Sequence, residues 1–112
     1  MATMIATYEY YLFTGDDDFM KINYHNYLHA LSFIAKKIDS TGMLSVTGTE
    51  DWGRLNQGGR NTEANMLMYH TLVTASKMAG WGEDPTLSSE LSQEAEKLKA
   101  AVNSNNWDPS AG

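Results

Sequence analysis

Between residues 47 and 63 the chain reads Thr47-Gly48-Thr49-Glu50-Asp51-Trp52-Gly53-Arg54-Leu55-Asn56-Gln57-Gly58-Gly59-Arg60-Asn61-Thr62-Glu63. This stretch holds five charged residues, four glycines and one of the three tryptophans. Acid, base and indole together on a glycine-rich segment are what a polar-ligand site needs. Glu50, Asp51 and Glu63 are the local carboxyls available for acid–base work. Glu50 and Asp51 are sequence neighbours, so their side chains should diverge. Glu63 falls where a helix begins, and a carboxylate there is stabilised by the helix dipole without any catalytic duty.

Other reactive groupings are sparse. With no cysteine, the chain has no disulfide, no thiolate metal site and no catalytic thiol, and its redox compartment cannot be read. His25 and His29 stand four apart and share a helix face, but the glutamate of the zinc-protease motif is missing from His25-Asn26-Tyr27-Leu28-His29. They are expected to be ordinary surface or packing histidines. Asp16-Asp17-Asp18 is expected to cap a helix rather than bind calcium, because no oxygen ligands follow at the required spacing. Neither a metal nor a cofactor is expected. The formal charge of -6 disfavours nucleic acid and anionic membrane as partners, since both need a basic face.

The elements that must position the loop are helices. Ile5, Tyr8 and Leu12, with Ala6, Tyr10 and Phe13, recur at helical steps and predict a helix over about 3–14, stopped at Gly15. Met20, Tyr24, Leu28, Leu31, Ile34 or Ala35, and Ile38 form an apolar stripe over about 17–38. Asp39-Ser40-Thr41-Gly42 signals a turn, and Met43-Leu44-Ser45-Val46-Thr47 reads as a short extended run opening a functional loop over 43–61. Ala64, Leu67 or Met68, Thr71 or Leu72, Ala75, and Met78 or Ala79 give a third helix near 62–79, apolar on much of its circumference and so expected to be buried on more than one side. After Gly80-Trp81-Gly82, Pro85 suits a first helical turn. Leu87, Leu91, Ala95, Leu98 and Val102 make a four-step stripe over about 86–104, and the tail is irregular. The fold class is therefore all-α: four helices in two helical hairpins, with a long glycine-rich loop between them.

Thr47 through Asn65, followed by Met66-Leu67-Met68-Tyr69-His70-Thr71-Leu72, resembles the fungal α-L-rhamnosidase-like group of six-hairpin glycosidases, an α/α toroid family. Tyr10-Tyr11-Leu12-Phe13-Thr14-Gly15-Asp16 with Phe19 is similar to the preceding helix and turn of that family. Trp107-Asp108-Pro109-Ser110-Ala111-Gly112 resembles the connection into its next hairpin. The likeness covers essentially the whole chain and is most specific at Asp51-Trp52-Gly53. It implies one partial toroid domain over 1–112, and an inverting glycosidase chemistry on terminal α-L-rhamnose. It implies that Asp51 and Trp52 line the sugar subsite; Arg54 and Gln57 fall in the same loop and are candidate substrate-binding residues by position, with no family role carried onto them. It places the general acid in an earlier hairpin and the general base in a later one, so neither is expected here. Asp51 and Glu63 are the remaining candidates for acid–base work, and neither is assigned a catalytic role. An indole face at Trp52 suits the C–H edges of a pyranose or packing over the loop. Trp81 and Trp107 are expected to be structural.

The expected function is thus a fragment or truncated relative of an α-L-rhamnosidase-like glycoside hydrolase, contributing a sugar-facing loop but inactive alone. The competing readings are a non-enzymatic helical interaction protein and a hydrolase active only as an assembly. Two hairpins without neighbours leave apolar faces uncovered. A homo-oligomer is therefore expected, with a dimer as the first geometry and a three-chain ring of six hairpins as another. Met1 through Thr7 lack a basic region and a long apolar run, so no signal peptide is read and the compartment stays open.

Overall fold

A computed structural model of the chain describes residues 1–50 and 53–111. Four helices make up the fold: α1 (Ala2–Thr14), α2 (Asp17–Ala35), α3 (Thr62–Trp81) and α4 (Pro85–Asn106). They form two helical hairpins, α1–α2 and α3–α4, as the apolar periodicity predicts. The closest packing is α3 on α4, and α1 bridges the hairpins by packing on both α3 and α2. α1 and α3 run in the same direction. The two-residue turn after α1 and the turn after α3 therefore lie at one end of the helices, and the long 36–61 connection lies at the other.

Local chemistry sets the helix ends. Asp16 Oδ1 accepts from the Phe19 N–H at 2.9 Å and caps α2, with Asp17 and Asp18 in the first turn. That backbone hydrogen bond holds the Asp16 carboxyl below its ordinary value. Asp84 Oδ1 accepts from the Leu87 N–H at 3.0 Å and caps α4, with Pro85 in its first turn. α1 ends on Gly15 in the left-handed region.

The core forms where the stripes meet. α4 contributes Leu91, Ala95, Leu98 and Val102, and α3 contributes Met68, Leu72, Ala75, Met78 and Ala79. α3 is buried on more than one side because α1 and α4 flank it. Thr71 and Thr74 tolerate this burial because each hydroxyl donates back to a carbonyl one turn earlier, Leu67 at 2.8 Å and His70 at 3.0 Å. Tyr27 is buried against this helix. Its phenol is pushed up to about 12 by desolvation, and Thr74 lies beside it with its own proton directed at carbonyls.

Two expectations change and one is narrowed. In α1 the buried residues are Met4 and Tyr8, flanked by Met1 and Tyr11, whereas Phe13 is 83% exposed and Tyr10 and Leu12 also face solvent. Of the residues whose spacing marks the helix, Tyr8 alone is buried, and Met4 joins it. α2 stops at Ala35, not at 38. The Lys37 and Ile38 N–H groups reach carbonyls only three residues back, at 3.0 and 3.1 Å, and Ile38 turns out to pair with Leu44. Trp107 is exposed at the end of α4, where the backbone becomes extended, rather than packed.

The turn after α3 carries an unusual assignment. The Glu83 N–H reaches the Gly80 carbonyl at 3.3 Å and the Asp84 N–H reaches Ala79 at 2.9 Å, the double bond of a Schellman cap. The left-handed residue of that cap is Glu83, at φ 58, and not the adjacent Gly82. At Gly82 a Cβ would lie 2.8 Å from Cζ of Tyr24. A larger residue at 82 would displace the Tyr24 ring, and the left-handed conformation falls on a glutamate.

Candidate functional site

Among the described residues of the 36–61 connection, Ile38 pairs with Leu44 across a short turn, and further along Val46 pairs with Gly59 and Glu50 with Leu55, each antiparallel. The Val46 and Gly59 backbones exchange hydrogen bonds of 2.9 and 2.8 Å, and the Gln57 N–H reaches the Thr49 carbonyl at 2.7 Å. The two sides approach closely: a Cβ on Gly58 would sit 3.1 Å from the Gly48 carbonyl oxygen, so a larger residue there would press on the facing backbone.

The base of the loop is anchored in the core. Met43 and Leu44 are buried, and Asn65, one turn into α3, is fully buried beneath them. Asn65 Oδ1 accepts from the Leu44 N–H at 2.7 Å, while its Nδ2 donates to the Leu44 carbonyl at 3.0 Å and the Asn61 carbonyl at 2.9 Å. The carboxamide acts as a strand partner for one residue, satisfying backbone groups that burial would otherwise leave orphaned. Asn61 caps α3 through Ala64 N–H at 2.8 Å, and its Nδ2 donates to the Gln57 carbonyl.

Two ion pairs tie the loop laterally. Arg60 Nε and Nη2 lie 2.8 and 2.6 Å from Asp39 Oδ2. With Thr41 also donating through its N–H at 2.8 Å and its hydroxyl at 2.5 Å, the Asp39 carboxyl is held down at about 2. Arg54 pairs with Glu63. The last residue of α4 joins this end, since Asn106 Nδ2 donates to the Arg60 carbonyl at 3.0 Å and to Thr62 Oγ1 at 2.9 Å.

A cleft of about 250 Å³ opens between this loop and the start of α3. Glu50, Gln57, Asn61 and Glu63 supply its polar wall, and Val46 and Leu67 its apolar one. Of the residues predicted to matter, Gln57 and Glu63 are brought together here. Gln57 Nε2 donates to the Leu55 carbonyl at 3.1 Å. Arg54 stands against Glu63 at the rim. Asp51 and Trp52 lie outside the described residues. Glu63 is not the cap of α3, which is Asn61; it occupies the first turn and commits its carboxylate, 65% exposed, to Arg54.

Sequence reasoning assigned no role to Asn65, Arg60 or Asp39. A signal for Asn65 was present: it falls in register with Met68 and Leu72, where an asparagine on a buried stripe demands backbone partners. Arg60 and Asp39 are 21 residues apart, and no local periodicity links them.

His25 and His29 lie with ring centroids 4.3 Å apart, tilted at 51°, on the exposed face of α2. Among the described residues no group of three or more potential ligands is placed to hold a metal ion. No helix among them is long and apolar enough to cross a membrane.

Helical hairpins carrying a long, pinned loop over a polar cleft define an all-α protein of the hairpin-repeat class. The chain belongs to the family described as the bacterial alpha-L-rhamnosidase 6 hairpin glycosidase domain, which matches residues 1–112. A comparison with curated proteins gives no match.

Proposed function

We propose that the 43–61 loop forms one wall of a terminal α-L-rhamnose subsite in an α-L-rhamnosidase-like glycoside hydrolase, and that these 112 residues by themselves bind the sugar without cleaving it. The observation that carries this reading is the cleft in which Glu50, Gln57, Asn61 and Glu63 converge beside the apolar Val46 and Leu67. Amides and carboxylates match the hydroxyls of a sugar, and the apolar side matches its C–H edges. Its volume lies just below the roughly 300–1,000 Å³ of sites for drug-sized ligands, which suits a single sugar residue. Inverting hydrolysis needs two carboxyls about 6.5–9.5 Å apart with separate acid and base roles. Glu63 instead faces solvent in an ion pair, the setting of an ordering contact rather than of a buried catalytic acid. In this reading the acid and base come from other hairpins of a toroid, Asp51 and Trp52 face the sugar, and Arg54 and Gln57 hold the loop and its ligand.

A rhamnoside hydrolysis assay on the purified chain tests this. The expected result is no turnover above buffer. Turnover that disappears in Glu63→Gln would overturn the binding-only assignment.

A second reading, a hydrolase assembled from several copies, is favoured by one observation. Ile22 and Phe33 on α2 are 75% and 66% exposed, and Phe13 on α1 more so. Large apolar side chains left in water promote association. Light scattering on eluted peaks separates a 12.5 kDa monomer from a dimer or trimer.

A further inference from the structure

The end of the helices opposite the long loop carries a second cavity, of about 520 Å³. Its wall joins both hairpins: Tyr11 from α1, Asp17, Lys21 and Tyr24 from α2, and Trp81 and Glu83 from the end of α3. The aromatic groups are held in place. The Trp81 ring stacks on Tyr8 at 5.4 Å and 9°, and meets Tyr11 at 5.1 Å and 57°. Tyr11 Oη donates to Asp17 Oδ1 at 2.7 Å, fixing a phenol and a carboxylate side by side. That bond uses one of about four acceptor positions on the carboxylate.

The charges restrict the ligand. Asp17 and Glu83 oppose an anion, and Lys21 on the same wall opposes a cation. Two carboxylates, an ammonium and an indole around one space of this size suit a neutral, polyhydroxylated ring with an apolar face. Such a ligand takes hydrogen bonds from Lys21, gives them to the two carboxylates and lays C–H groups on the indole. The backbone singles out one of these groups. Glu83 stands in the left-handed region at the position of the cap that glycine normally fills, and it lines the cavity. Strained non-glycine residues of this kind collect at ligand clamps.

We propose that this cavity is a second sugar-binding site, taking a neutral pyranoside, with Glu83 and Asp17 as hydroxyl acceptors and Trp81 as the apolar platform. It is separate from the loop cleft and does not rest on the reading given to that cleft.

The test is an NMR titration of the whole chain with methyl α-L-rhamnopyranoside and methyl α-D-glucopyranoside, following the Trp81 indole N–H and the Gly82 amide. Choline and sulfate serve as cationic and anionic controls. At least one glycoside is expected to shift both signals, while the two ions leave them in place. Glu83→Gly, which keeps the cap, and Asp17→Asn, which still accepts from Tyr11, are each expected to weaken binding about tenfold, the loss of one charge-assisted hydrogen bond. Melting curves check that both variants remain folded. Glu63→Gln in the loop cleft should leave the Trp81 response unchanged. Silence of both signals, a response to choline or sulfate in place of sugar, or full affinity in folded Glu83→Gly would overturn the proposal. A Trp81 response without a Gln57 response would count against the loop cleft alone, and the reverse against this site alone.

Discussion

The Asn65 carboxamide grips the backbone of Leu44 from both sides, taking its N–H at 2.7 Å and giving a proton to its carbonyl at 3.0 Å. This pair is the hinge pin of the protein's loop. It joins the first turn of α3 to a segment 21 residues earlier and lets Met43 and Leu44 enter the core as an irregular plug. Removing the amide leaves two buried backbone groups without partners. Asn65→Ala should therefore destabilise the chain by about 2–4 kcal/mol, measured by denaturant unfolding. The Leu44 amide should also lose hydrogen-exchange protection ahead of the α4 core. An exchange rate for Leu44 unaltered in Asn65→Ala would show that the loop is held by other contacts.

The turn after α3 gives a pair of opposite outcomes. Glu83→Gly should raise stability by about 1 kcal/mol, because glycine enters the left-handed region freely and the Schellman bonds are retained. Gly82→Ala should lower it, since the new Cβ would lie 2.8 Å from Cζ of Tyr24 and force that ring to shift. Thermal melts of the two variants check both signs together.

Asp39 supplies a pH dependence. Its carboxyl is depressed from 3.8 to about 2, mainly by the Arg60 hydrogen bond and then by those from Thr41. A group depressed on folding stabilises fully above its unfolded value and loses that contribution as pH falls through the folded one. The stability gap between wild type and Asp39→Asn should thus be constant above about pH 4 and close between about pH 4 and 2. Melting both proteins across that range measures it. A gap that widens toward low pH would contradict the assignment.

The Arg54–Glu63 pair should matter little to stability. Both side chains are more than half exposed, and such pairs contribute about 0–1 kcal/mol. Glu63→Gln is expected to unfold within about 0.5 kcal/mol of wild type, which makes it a clean variant for sugar binding at the loop cleft.

How much of this was legible in the sequence follows from the range of each interaction. The caps at Asp16 and Asp84 and the α4 stripe from Leu91 to Val102 act within a few residues, and periodicity reveals them. The periodicity of α1 leaves its inward face open, because apolar and aromatic residues sit all around it. Only tertiary contact with Trp81 selects Tyr8 and Tyr11 over Phe13. The pairing across the loop depends on Val46 meeting Gly59 and Arg60 meeting Asp39, contacts over 13 and 21 residues that no local pattern encodes. The glutamate in the left-handed cap was invisible for the same reason: Tyr24, from another hairpin, crowds the glycine one position away.

The central claim is that the loop cleft binds a rhamnoside. A titration with methyl α-L-rhamnopyranoside, followed by NMR on the side-chain amides of Gln57 and Asn61, tests it most directly. Saturable shifts of both amides, weakened in Glu50→Gln and Glu63→Gln, are the predicted result. Amide signals that stay in place through the titration, in a chain that is folded by every other measure, would contradict the claim and favour a helical interaction protein instead.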